Sequence, residues 1–73
     1  MTKEEFIVQM QDVLQTETEL TTETVLDELD EWDSLSVMAT VAFLEKNFGV
    51  KLKIAEIKTL GTIGDIAAKV GIQ

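Results

Sequence analysis

Three stretches of this chain place apolar residues at helical spacing, and each opens on a residue suited to cap a helix. The sequence has no proline and no succession of alternating strand patterns, so that punctuation restricts it to helices packed on one another. Phe6, Ile7, Met10, Val13 and Leu14 fall at i, i+1, i+4, i+7 and i+8, one stripe of an amphipathic helix. Thr2, with Glu5 three residues on, reads as a capping box and predicts a first helix from about residue 3 to 15. Asp33 is a good N-cap for a second helix, Leu35 to Phe48, which is apolar on nearly every side. Gly49 is placed to end it. The segment from Lys51 to Leu60 has room for one or two turns before Gly61 breaks the chain. Thr62 and Asp65 then repeat the capping logic ahead of Ile63, Ile66, Ala67 and Val70, and Gly71 stops the last helix. The expectation is an all-α fold in a single domain over residues 1–73. It is a small four-helix bundle of three main helices and one short helix, with a long loop between helices 1 and 2.

That loop, residues 16–32, is rich in threonine and acid and lacks sustained periodicity. Connections of this length are uncommon in compact domains unless they are functional or disordered. Leu20, Val25, Leu26, Leu29 and Trp32 are spaced to pin it to the core, which predicts an ordered loop with a short helical turn near Val25 to Leu29. The expected core is Phe6, Met10, Val13, Leu14, Leu26, Val37, Val41, Leu44, Phe48, Ile57, Ile63, Ile66 and Val70. Either Phe43 or Phe48 can point inward.

Composition limits what such a bundle can do. A domain of 73 residues buries only about 60% of its unfolded surface, enough for one thin core and no deep substrate cavity. The chain has no cysteine and no histidine, hence no disulfide framework, no thiolate metal site and few routes to covalent catalysis. Its net charge of −8 disfavours nucleic acid and anionic lipid and favours basic protein partners. Eight of the fourteen acids lie between residues 17 and 33 and lead straight to Ser34. No apolar run approaches the roughly 20 residues a membrane span needs, and the charged start is unlike a signal peptide. A cytoplasmic protein is expected, without membrane insertion.

Ser34 follows the Asp33 cap, where a hydroxyl meets the unpaired N–H groups and positive dipole end of a helix. A phosphodiester there would sit in a favourable field. The bland alternative is an ordinary serine in a capped helix start. A catalytic serine fails for want of a histidine base or a Gly-x-Ser-x-Gly elbow, since Lys46 is three turns down the helix. Asp27, Asp30 and Asp33 are closely spaced, but they lack the alternating ligands and central glycine of a calcium loop. No residue is assigned a catalytic or metal-binding role.

The run Leu29-Asp30-Glu31-Trp32-Asp33-Ser34-Leu35-Ser36 resembles the Asp-Ser-Leu attachment site of acyl carrier proteins. The order of elements matches that family over essentially the whole chain, and Leu44-Glu45-Lys46-Asn47-Phe48-Gly49-Val50 is similar to its Leu-Glu-x-x-Phe-Gly-Val pattern. The resemblance implies a four-helix fold of acyl-carrier type and a covalent 4'-phosphopantetheine on Ser34. It makes Asp33 the acid that helps a transferase hold Mg²⁺, and Leu35 the exposed leucine that partners contact. It further implies a non-enzymatic, monomeric carrier of acyl or aminoacyl thioesters. Its partners would be a phosphopantetheinyl transferase, an acyl- or aminoacyl-loading ligase or transferase, and downstream acyl-using enzymes. A bound acyl chain could slide into the core, as in bacterial members of the family.

Two departures bear on specificity. The glycine that usually precedes the site is missing, and the Trp-Asp-Ser-Leu form resembles carriers of specialised fatty-acid, lipid, secondary-metabolite or amino-acid-loading pathways. The family's second helix also presents a row of acids, whereas the matching positions here are Ser36, Ala39, Glu45 and Lys46. The expected partner surface is therefore Leu35, Ser36, Met38, Ala39, Ala42 and Glu45, largely apolar, with Met38 equally suited to the core. Trp32 reads as a packing anchor beneath the loop in preference to a lid beside the arm. The rival from another class is a small helical protein-interaction domain without a prosthetic group. It should tolerate Ser34→Ala, which a carrier cannot.

Overall fold

The computed structural model describes residues 1–72. Its elements are α1 (Lys3–Leu14), a 3₁₀ turn (Leu26–Glu28), α2 (Ser34–Phe48), α3 (Ile54–Lys58) and α4 (Ile63–Lys69). The fold is a small all-α bundle. Extended pairing among the described residues is confined to one isolated antiparallel bridge between Val25 and Thr62.

Helices α1, α2 and α4 begin where their capping residues place them. Thr2 Oγ1 accepts from the Glu5 N–H at 3.1 Å, and the Glu5 carboxylate accepts from the Thr2 N–H at 2.9 Å. The bonds to the Thr2 backbone and side chain hold the Glu5 carboxyl below the usual glutamate range. Helix α1 stops at Leu14 because Gln15 turns left-handed, at φ 53°. Gly49 ends α2 in the same conformation, at φ 67°, where glycine has no Cβ to clash. At α4, Thr62 and Asp65 form a reciprocal box, and Asp65 Oδ2 also accepts from the Gly61 N–H at 3.0 Å.

The core joins all four helices: Phe6, Met10 and Leu14 from α1, Val37, Phe43 and Leu44 from α2, Ile57 from α3, and Ile63, Ile66 and Ala67 from α4. Leu20 and Leu26 bring the loop into it. Phe6, Phe43 and Phe48 form a triangle with ring centroids 6.1–6.2 Å apart, so both α2 phenylalanines serve the contact with α1. Val13, Val41, Phe48 and Val70, expected in the core, pack against its edge and are half-buried. Their places are taken by Leu20, Phe43 and Ala67. In so thin a bundle only the centre of each apolar stripe is covered from both sides.

The long loop is ordered, and its main attachment is to the start of α4. Ile63 N–H donates to Thr24 O at 3.1 Å, Gly64 N–H to Thr22 O at 2.8 Å, and Leu26 N–H to Gly61 O at 2.9 Å. The loop thus supplies acceptors for N–H groups that open α4. A Cβ on Gly64 would lie 2.7 Å from the Thr22 carbonyl oxygen, so the close approach requires glycine. Val25, expected to pin the loop with its side chain, is 40% exposed. It serves through its backbone pairing with Thr62 instead.

Candidate functional site

Ser34 is the first residue of α2 and is exposed. The preceding turn is fixed by backbone bonds from Trp32 N–H to Leu29 O and from Asp33 N–H to Glu31 O, each 3.1 Å. Asp33 then caps the helix, its Oδ1 accepting from the Ser36 N–H at 2.9 Å. The Asp33 N–H donates to Ser36 Oγ at 2.8 Å, and the Ser36 hydroxyl donates to the Asp33 carbonyl at 3.0 Å. The cap closes over Ser34 without using it. Among the described residues no partner engages the Ser34 hydroxyl, and the N–H groups of Ser34 and Leu35 have no backbone acceptor. A free hydroxyl on a rigid, electropositive helix start is what an incoming anionic group can use.

Ser36 was expected on the partner surface. Its side chain is instead buried at 8% exposure, because it completes the cap and sits above Thr40, whose hydroxyl donates to the Ser36 carbonyl at 2.9 Å. The other expected surface residues do face outward. Leu35 is 78% and Met38 56% exposed, and Ala39, Ala42 and Glu45 are exposed with them. Met38 therefore belongs to the outer strip and not to the core. Glu45, the one acid of that row, lies 3.9 Å from Lys51 Nζ.

Two shallow depressions, both open to solvent, flank the first turn of α2. One, of about 390 Å³, is lined by Asp27, Trp32, Asp33, Ser34, Val37 and Lys58. The other, of about 310 Å³, is lined by residues that include Val13, Leu14, Glu31, Leu35 and Ala39. Trp32 is half-buried, packed against the core on one side and contributing to the first depression on the other. It is an anchor that also borders the site. Lys58 escaped the sequence reading because it belongs to α3, and no spacing along the chain signals that α3 packs across α2. Among the described residues no three acidic side chains are grouped to hold a metal ion, and no helix is long and apolar enough to cross a membrane.

Residues 4–70 match the family described as the phosphopantetheine attachment site. The chain is 38% identical over 69 residues to an acyl carrier protein of Arthrobacter sp. (strain FB24), a match that spans 85% of this chain and 83% of that protein. An acyl carrier protein of Paenarthrobacter aurescens (strain TC1) matches with the same identity and coverage. A solved structure of a candidate acyl carrier protein from Mycobacterium tuberculosis superposes with a TM-score of 0.76 at 25% identity, covering 93% of this chain and 92% of that one. The chain belongs to the acyl carrier protein family, whose prosthetic group is a covalently attached 4'-phosphopantetheine.

Proposed function

We propose that Ser34 is the attachment residue and that residues 1–73 act as one monomeric carrier domain in the cytoplasm, in a specialised fatty-acid, lipid, secondary-metabolite or amino-acid-loading pathway. The observation that carries this reading is the free, exposed Ser34 hydroxyl inside a cap built by its neighbours. The fit is chemical as well as steric. A phosphodiester on Ser34 would lie beside two N–H groups with no backbone acceptor and at the positive end of a 15-residue helix. When bound, the group supplies the only thiol of a chain that has no cysteine, and that thiol holds an acyl group as a thioester.

The chain's own residues bind and present, and catalysis rests with partners. Asp33 fixes the helix start and offers its exposed carboxylate beside Ser34, where a phosphopantetheinyl transferase would hold Mg²⁺. Leu35, Met38, Ala39 and Ala42 give loading and acyl-using enzymes an apolar face in which Glu45 is the one remaining acid. A housekeeping malonyl transferase that recognises a row of acids should load this carrier poorly. Loading as efficient as that of its own carrier would contradict the assigned face.

The absence of cysteine makes the attachment test clean. After incubation with coenzyme A, Mg²⁺ and a broad-specificity phosphopantetheinyl transferase, the purified chain should gain a titratable thiol from a background of none. Ser34→Ala should gain none. A thiol gained equally by the variant would move the attachment point elsewhere.

A further inference from the structure

We propose that Lys58 and Trp32 form a docking site for the proximal part of the prosthetic arm. In it the Lys58 ammonium pairs with the phosphodiester, and the Trp32 indole packs on the dimethyl-bearing hydrocarbon that follows. The inference rests on Ser34 being the attachment residue. Three observations carry it.

First, Ser34, Trp32 and Lys58 line the same depression, so an arm leaving the Ser34 hydroxyl starts inside it. Second, Lys58 is the one cation on a rim that also bears Asp27 and Asp33. It is the last residue of α3, is exposed, and has no carboxylate within ion-pair distance among the described residues, where Lys51 with Glu45 forms the pair. The surrounding charge makes its position informative. Residues 1–45 hold twelve acids and a single lysine, and the cation that shares this depression with Ser34 is delivered from a different helix. Third, Trp32 is half-buried, its inner side held by the core, so the part that borders the depression is presented without freedom to swing away.

The arm's chemistry matches this rim in sequence. The phosphodiester is its one permanent anion, and the segment beyond it is a branched hydrocarbon followed by neutral amides. An exposed lysine pair is weak on its own. Here the partner is tethered at the edge of the depression, at millimolar effective concentration or above, so a weak pair is enough to bias where the arm rests. The two acids on the rim oppose the phosphodiester, and Lys58 offsets them. Without it the same depression would repel the arm it adjoins.

The test uses the intact modified chain and reads the position of the arm, not activity. Intact mass first establishes modification. In the wild type, nuclear Overhauser contacts should join the arm's methyl protons to the Trp32 indole, the only tryptophan of the chain. Lys58→Gln should lose or weaken them and shift the ³¹P resonance of the phosphodiester, Lys58→Arg should retain them, and added salt should weaken them in the wild type. A modified chain with no such contacts, or with contacts and a ³¹P shift unchanged in Lys58→Gln, overturns the docking site and leaves the attachment reading intact. A chain that transferases leave unmodified overturns both.

Discussion

Two serines two positions apart do opposite work. Ser34 presents a hydroxyl that none of the described residues uses, whereas Ser36 spends its hydroxyl and its N–H on the Asp33 cap. Ser34→Ala should therefore change stability by less than about 0.5 kcal/mol, as at other exposed and unpartnered sites. Ser36→Ala should cost about 1 kcal/mol, since it leaves the Asp33 N–H without its partner. Urea unfolding of the two variants measures the difference, and equal losses would mean that Ser34 has a structural role the geometry lacks. The exposed place of the first serine at the helix start was legible in the sequence, because the Asp33 cap precedes it. The second was not. The usual capping box has Glu or Gln at the third helical position, so a serine there reads as an outward surface residue.

The helices themselves were readable because their signals are local: a threonine or aspartate cap, a stripe at 3.6 spacing, a glycine stop. The attachment of the long loop was not, because it is made by backbone atoms that carry no residue identity. Thr22, Thr24 and Gly61 hold the loop to α4 through carbonyls, and the only sequence trace of that contact is Gly64. Gly64→Ala pushes a methyl to 2.7 Å from the Thr22 carbonyl oxygen. It should cost about 1–3 kcal/mol, the range typical of overpacking. Amide exchange at Ile63 and Gly64 should speed up with it. An alanine variant with unchanged exchange there would show that the loop does not depend on this close approach. The same element logic explains Lys58, which shares a depression with Ser34 only because α3 packs against α2.

As a whole the molecule is a thin core beneath a polarised surface. The Phe6, Phe43 and Phe48 triangle joins the two longest helices, and Phe6 is fully buried. Phe6→Ala should cost about 3–5 kcal/mol, a large share of the roughly 5–15 kcal/mol a small domain has in total. Thermal unfolding should then begin near ambient temperature, and a variant within a few degrees of the wild type would contradict the assigned core. The charge runs along the chain, with twelve acids and one lysine before residue 46 and two acids with five lysines from residue 46 onward. Ser34 lies where the acidic loop meets the apolar face of α2, and on the proposed reading the first steers a partner and the second selects it. On the proposed reading, all of this serves one exposed hydroxyl. The measurement that tests it most directly is the intact mass of the wild type and of folded Ser34→Ala after incubation with coenzyme A, Mg²⁺ and phosphopantetheinyl transferase. The account predicts a gain of one phosphopantetheine in the wild type and none in the variant. No gain in the wild type with several transferases, or the same gain in both chains, would contradict it.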